Sequence, residues 1–252
     1  MPSPAVISLP QSLSSFLARI EHLKRAELKA GNQSDFLFRG QSLDEPLIPR
    51  LARLKPKGKL LEVEKLMMAD FDRQHLPFTE FEPKDEWDLL ALAQHHGLPT
   101  RLLDWTYSAL AALWFCVSKP PKATKSGDLL DGVVWVLKTK PDDFTTFPTA
   151  ESPYDLGKTR IFRPRTITRR IMAQSGVFTC HKRTSGGKFV KLESNKAYKD
   201  RLVKIPIQGS LFMTLREDLM ANGVSSLSLF PDLDGLTAQL ERRYFHDAKP
   251  AL

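Results

Sequence analysis

Arg39 stands between an apolar triplet, Phe36-Leu37-Phe38, and Gly40. That placement predicts a short strand that delivers a guanidinium to the edge of the core, beside a glycine that lets another backbone or a ligand come close. A planar guanidinium held there suits bidentate phosphate contact, and the competing assignment is a surface ion pair. A second constellation gathers Gln94, His95, His96, Thr100, Arg101, Asp104 and Trp105 within twelve residues. His95 and His96 point different ways from one helix turn, so they do not ligate one metal together; either can donate to a substrate oxygen, or simply cap a helix end. Thr100 offers a hydroxyl to a ligand or to nearby backbone. Asp104, flanked by Leu103 and Trp105, is the best placed carboxylate, unless it serves as the buried partner of Arg101. A third group is a run of charge: residues 158–204 hold 14 lysines and arginines against two acids, Glu193 and Asp200, and give the chain its net charge of +8. Arg163, Arg165, Arg169, Arg170, Lys182 and Arg183 are the candidates there for contact with nucleic acid. Phe162, Phe178, Phe189 and Tyr198 are candidate stacking faces, although core positions suit them as well, and solvated hairpin faces also collect lysine.

The elements that position these residues follow from periodicity. A first amphipathic helix spans about 12–30, with Phe16, Ile20, Leu23 and, less regularly, Leu28 on one face and Gly31-Asn32 as its stop. Phe36-Leu37-Phe38 is a strand, 43–56 a loop, and about 60–75 a helix ended by Leu76-Pro77. Asp85 caps a helix that runs to Gly97, so both histidines fall in its last turn. Thr100 to Trp105 reads as an extended connector into a deeply buried helix carrying Leu110, Leu113, Trp114 and Val117. Gly132 to Leu137 lacks polar alternation and is a strand buried on both faces. A loop covers 141–154, a short helix 166–174 and a strand 177–181; 202–207 is an edge strand because of Pro206. Helices at 211–222 and from Leu233 to Tyr244, the last with Leu233, Leu236, Leu240 and Tyr244 on one face, close the chain. The fold class is α+β: one domain over 1–252, with a helix-rich N-terminal half packed on a mixed or antiparallel sheet formed mostly after residue 130. The basic region 158–204 is an insertion or a face of that sheet.

Composition narrows the chemistry. With 42% hydrophobic residues in 252, a sizeable core is expected. The longest apolar run, Ala109 to Val117, is about half the roughly 20 residues of a membrane span, and the N-terminus does not read as a secretion signal, so a cytoplasmic protein without a membrane partner is expected. Cys116 and Cys180 lie in apolar surroundings and read as buried thiols, with no paired spacing that would hold zinc. There is no Gly-x-x-x-x-Gly-Lys loop, the nearest segment being Ser185-Gly186-Gly187-Lys188. Gly-x-Gly-x-x-Gly, His-Glu-x-x-His and Gly-x-Ser-x-Gly are missing too, which removes kinase, Rossmann, zincin and serine-hydrolase readings.

Phe38-Arg39-Gly40, the run from Gln94 to Thr106, the run from Arg170 to Phe178 and the run from Leu229 to Leu236 together resemble the FRG-domain family, over about residues 10–245. That family is associated with bacterial toxin and phage-defence loci and has been likened to ADP-ribosyltransferases. The resemblance implies NAD as substrate, with no metal, and a toxin-like effector held silent by a neutralising antitoxin protein. Phe38, Arg39, Gly40, Gln94, Arg101 and Trp105 would bind NAD, Arg39 taking the pyrophosphate. Arg39, His95, His96, Thr100 and Asp104 would form the catalytic set, Thr100 ordering the nicotinamide side and Asp104 supplying the carboxylate. The sequence departs from the arginine-type transferases in lacking a Glu-x-Glu or Gln-x-Glu at a late strand. Asp232 and Asp234 are the next carboxylates, Asp232 at a helix-cap position. RNA or DNA gathered by the 158–204 region is the expected acceptor. Two other readings stand beside this one: a nuclease toxin using His95, His96 or Asp104, and a non-catalytic module that binds nucleotide or nucleic acid.

Overall fold

Ser12 accepts the Ser15 backbone N–H at 3.2 Å while the Ser15 hydroxyl accepts the Ser12 N–H at 2.9 Å, and this reciprocal cap starts helix α1, Leu13–Lys29. Leu13, Phe16, Ile20 and Leu23 of α1 are buried, but Leu28 is 69% exposed. Five residues beyond Leu23 at about 100° each place it roughly 140° round the helix from Leu23, off the edge of the buried stripe. The computed structural model describes residues 5–6, 9–79, 81–146, 151–165 and 172–245.

Seven strands form one sheet in the order β1 (Ala5–Val6), β7 (Leu202–Ile207), β4 (Gly132–Lys138), β2 (Phe36–Gln41), β3 (Leu102–Thr106), β6 (Gly176–Cys180) and β5 (Arg160–Phe162). The β1–β7 pair is parallel and the others are antiparallel. Among the described residues the further α-helices include α2 (Arg50–Arg53), α3 (Leu60–Gln74), α4 (Glu86–His95), α5 (Ala109–Val117), α6 (Phe212–Ala221), α7 (Ser226–Leu229) and α8 (Leu233–Tyr244). This is the expected α+β fold. The basic region contributes β5, β6 and the first residues of β7, so it is built into the sheet.

Four expectations need correction or qualification. The connector around Leu102–Thr106 is strand β3, held in the interior of the sheet by five residue pairs with β6. β7 is not an edge strand: β1 pairs with Val203 and Lys204 on one side and β4 pairs with Leu202–Ile207 on the other, with Pro206 opposite Val133. Leu233, Leu236, Leu240 and Tyr244 of α8 are exposed, so the last helix does not bury its apolar face among the described residues. The helix expected at 166–174 lies largely outside the described residues.

One face of the sheet carries the helices. Phe36 and Phe38 of β2 pack with α1, α5 and α6, while Leu102 of β3 and Phe178 and Cys180 of β6 pack with α3 and α4. The opposite face, with Leu37, Leu103, Trp105, Trp135 and Val177, is covered by Leu47, Leu192 and Tyr198 from irregular segments. Cys116 and Cys180 are free thiols buried in separate clusters, and burial pushes the Cys116 thiol up to about 12. No helix among the described residues is long and apolar enough to cross a membrane.

Candidate functional site

β2 and β3 meet at a single residue pair, Phe38↔Thr106, and are unpaired toward Gly40 and Asp104. β2 is meanwhile paired along its whole length to β4, and β3 to β6, so the sheet opens at this one junction. Beside it lies a cavity of about 500 Å³ whose wall includes Phe38, Arg39, Gly40, Asp104, Trp105 and Thr106. That volume is within the range of small-molecule sites, about 300–1,000 Å³. Gly40 lies beneath α5: a Cβ there would stand 1.7 Å from the Ala112 carbonyl oxygen. The close approach foreseen at this glycine is thus made by a helix backbone.

Arg39 reaches across the junction. Its Nη1 donates to the Asp104 carbonyl oxygen at 2.8 Å and stands 3.6 Å from Asp104 Oδ2, while its buried Nε has no partner among the described residues. The Arg39 side chain is 16% exposed and that of Asp104 is 58% exposed. Burial lowers the Arg39 pKa; the Arg53 charge acts in the same sense and Asp104 offsets only part. Arg53 itself is paired with Glu45 at 2.7 Å on the same cavity wall. The guanidinium is an under-neutralised cation, which gains from an anion brought into the cavity.

Asp104 is fixed by a line of hydrogen bonds from α4. The Leu102 N–H donates to Thr100 Oγ1 at 3.1 Å, Thr100 Oγ1 donates to Gln94 Oε1 at 2.6 Å, and Gln94 Nε2 donates to Asp104 Oδ1 at 3.0 Å. Thr100 is buried and does not reach the cavity wall. Thr100 and Gln94 therefore orient the carboxylate from behind. One Asp104 oxygen is committed to Gln94 and the other faces Arg39.

The remaining expected site residues are dispersed. Arg101 is fully buried, with its Nε 2.7 Å from Glu64 Oε1, its Nη2 2.5 Å from Glu64 Oε2 and its Nη1 donating to the Pro153 carbonyl oxygen. It is not on the cavity wall and it does not pair with Asp104. His96 lines a different cavity, with Met67, Phe71, His75 and Leu98, and His95 lines neither. Trp105 is buried and donates its indole N–H to Thr179 Oγ1 at 3.1 Å. Asp232 caps α8 by accepting the Gly235 N–H at 3.0 Å. Neither Asp232 nor Asp234 lines the cavity. In the basic region Arg163 lies 3.6 Å from Asp35 and over the Phe144 ring, and Arg165 lies 3.4 Å from Asp88. Lys182 donates to the Gly157 carbonyl oxygen, and Arg183 is half-buried with its Nε unpartnered among the described residues. Arg169 and Arg170 lie outside the described residues. Among those residues no group of three His, Cys, Asp or Glu side chains is placed to hold a metal ion.

Glu45, Arg53, Phe115, Lys119, Lys122, Gln174 and Phe230 also line the cavity and were not foreseen as site residues. Gln174 and Phe230 had a signal, since each falls in a run that carries the family resemblance. All four runs converge here: Arg39, Asp104, Gln174 and Phe230 come from segments far apart in sequence and line one cavity. Thr106 Oγ1 donates to the Gln174 carbonyl oxygen at 2.6 Å and Gln174 Nε2 donates to the Leu229 carbonyl oxygen at 3.1 Å, which ties three of the runs together.

Behind Trp105, Thr179 Oγ1 accepts the indole N–H and lies 3.0 Å from His181 Nε2. His181 is fully buried, and burial, reinforced by the Arg39 charge, lowers its pKa from 6.5 to about 4. Between those two values the unfolded chain binds a proton at His181 that the folded chain does not, so stability is full above pH 6.5 and falls as pH drops toward 4. The expected loss is about 3 kcal/mol at most. Denaturant unfolding across this window checks it: the slope should shrink in a His181→Leu variant, and an equal slope in both proteins overturns the assignment.

The sequence model of the FRG domain matches residues 34–125, which include Phe38-Arg39-Gly40, the run Gln94 to Thr106 and Gly40's contact helix α5. No curated protein and no solved structure matches the chain. The two later runs of the resemblance lie outside the matched span, and the fold returns both to its cavity through Gln174 and Phe230. Residues 34–125 therefore match the FRG domain, and within that span Arg39 and Asp104 meet at the β2–β3 junction.

Proposed function

We propose that the β2–β3 cavity is the active site of an NAD-dependent ADP-ribosyltransferase. The observation that carries this reading is the under-neutralised Arg39 guanidinium beside Asp104, whose carboxylate is oriented by Gln94. Arg39, with Arg53 on the same wall, would hold the pyrophosphate of NAD. Asp104 would stabilise the positive charge that develops on the ribose as the glycosidic bond lengthens. In that reaction the bond from ribose C1′ to the nicotinamide nitrogen breaks with its electron pair going to nicotinamide. An acceptor nitrogen or oxygen bonds to C1′, and the acceptor's proton passes to Asp104 or to water. The toxin-like role and a neutralising protein partner follow from the family resemblance alone and belong to the same proposal.

The test is incubation of the protein with NAD and separate pools of RNA, DNA and protein, following nicotinamide release and acceptor mass. Arg39→Ala and Asp104→Asn are each expected to lower nicotinamide release about 100-fold or more. Absence of release and of any adduct from folded wild-type protein sinks the reading. Shortened nucleic acid without NAD would then favour a nuclease, and intact pools a binding module.

A further inference from the structure

The mouth of the cavity is basic on one side. Lys119 and Lys122 line it, separated by Pro120-Pro121, and Lys125 lies in the turn that follows. Consecutive prolines favour an extended chain rising about 3.1 Å per residue, which keeps the first two lysines roughly 9 Å apart. The turn is closed by an Ala123↔Leu129 bridge and by the Leu130 N–H donating to the Lys122 carbonyl oxygen at 2.7 Å. Its acid, Asp128, is taken up by the Ser126 hydroxyl at 2.6 Å. Lys119, Lys122 and Lys125 are exposed, and none has an ion-pair partner among the described residues. Within the 158–204 region Lys158, Lys188, Lys191 and Lys196 likewise have no ion-pair partner among the described residues but do not line the cavity, while Arg160, Arg163, Arg165, Arg201 and Lys204 face Glu151, Asp35, Asp88, Asp143 and Asp44. None of those five cations lines the cavity. On the wall of the same cavity the half-buried Phe115 and Phe230 meet edge to face with ring centroids 6.0 Å apart.

Resting on the transferase reading, we propose that the acceptor is a single-stranded nucleic acid, that its phosphates cross the mouth of the cavity on Lys119, Lys122 and Lys125, and that one base turns inward against Phe115 and Phe230. Lysines contact phosphates without reading sequence, and aromatic faces accept any base. A base inside a duplex cannot enter a cavity until it leaves its stack, which selects single strands. An acidic peptide would satisfy the lysines but brings no planar base to the aromatic pair.

The test measures binding of a fluorescent mixed-sequence single-stranded RNA and the matching DNA to the whole chain, with poly-glutamate of similar charge as competitor. Nicotinamide release is followed on the same preparations. Lys119→Glu/Lys122→Glu/Lys125→Glu is expected to weaken binding at least tenfold and to reduce the slope of log affinity on log salt by about 2. Lys188→Glu/Lys191→Glu/Lys196→Glu, an equal charge change at exposed lysines of the 158–204 region, should leave affinity within twofold. Wild-type protein that binds neither strand, loss confined to the second variant, or displacement by poly-glutamate as effective as by nucleic acid each overturns the proposal. If no nicotinamide is released yet the lysine pattern holds, the transferase reading fails while the nucleic-acid track stands.

Discussion

Gly40→Ala is expected to leave no stably folded protein. The added Cβ would stand 1.7 Å from the Ala112 carbonyl oxygen and 2.8 Å from the Cys116 backbone nitrogen, so the obstacle is the backbone of α5 and no side-chain rotation relieves it. Overpacking against side chains costs about 1–3 kcal/mol. Displacing a helix that carries Ala111, Ala112, Leu113, Trp114, Cys116 and Val117 into the core should exceed that, against the roughly 5–15 kcal/mol that holds a domain folded. Soluble yield and denaturant unfolding check it, and a variant that unfolds at the wild-type denaturant concentration would falsify the assignment. The result also separates two roles within Phe38-Arg39-Gly40. The glycine acts through packing and the arginine through the cavity, so Arg39→Ala should fold where Gly40→Ala does not.

Glu64→Gln should cost about 3–5 kcal/mol, the range for removing one partner of a buried ion pair. Both side chains are essentially without solvent contact, and the carboxylate meets the guanidinium through two hydrogen bonds. Burial works against the Arg101 charge, and the Glu64 hydrogen bonds and charge more than compensate, holding its pKa above the ordinary value. Without the carboxylate, Arg101 retains the Pro153 carbonyl and the Tyr154 ring 4.7 Å away, neither of which carries a full negative charge. The pair joins α3 to the residue that precedes β3, and so sets the position of the strand that bears Asp104. A Glu64→Met/Arg101→Met double variant removes both charges and is expected to recover most of the loss. Equal stability of Glu64→Gln and wild type in urea melts would refute a structural role for the pair. If the double variant is no better than the single one, the loss lies in packing and not in an uncompensated charge.

Much of the local structure was legible because it is decided within a few residues. Ser12, Asp85 and Asp232 cap helices through backbone groups three positions on, and Gly97 and Gly223 stop helices at φ near +80°. The unbroken apolar run from Gly132 to Leu137 marked a strand with both faces covered, and β4 lies between β2 and β7. Leu102–Thr106 misled for the converse reason. Its pattern of two apolar residues, an acid, tryptophan and threonine carries little alternation, and its strand identity comes from β6, some seventy residues later. The apolar stripe of α8 repeats at helical spacing and so specified a helix, while nothing in the stripe itself specifies what covers it.

By itself the sequence determined the types of group available for chemistry: a guanidinium delivered by a strand at Arg39 and a carboxylate at Asp104, each set by its own neighbours in the chain. Tertiary structure alone decided which groups meet. Arg101 and Asp104 lie three residues apart, yet Arg101, just ahead of β3, turns to Glu64 of α3 in the interior, while Asp104, inside β3, faces the cavity. The run of charge at 158–204 was plain in the sequence, but folding brings Asp35, Asp88, Asp143 and Glu151 onto part of it, and the lysines that line the cavity come from a different segment. Caps and turns are closed by bonds spanning three or four residues and can be read locally. A cavity and its field are sums over side chains that only long-range packing brings within a few ångströms, where Coulomb energies become decisive.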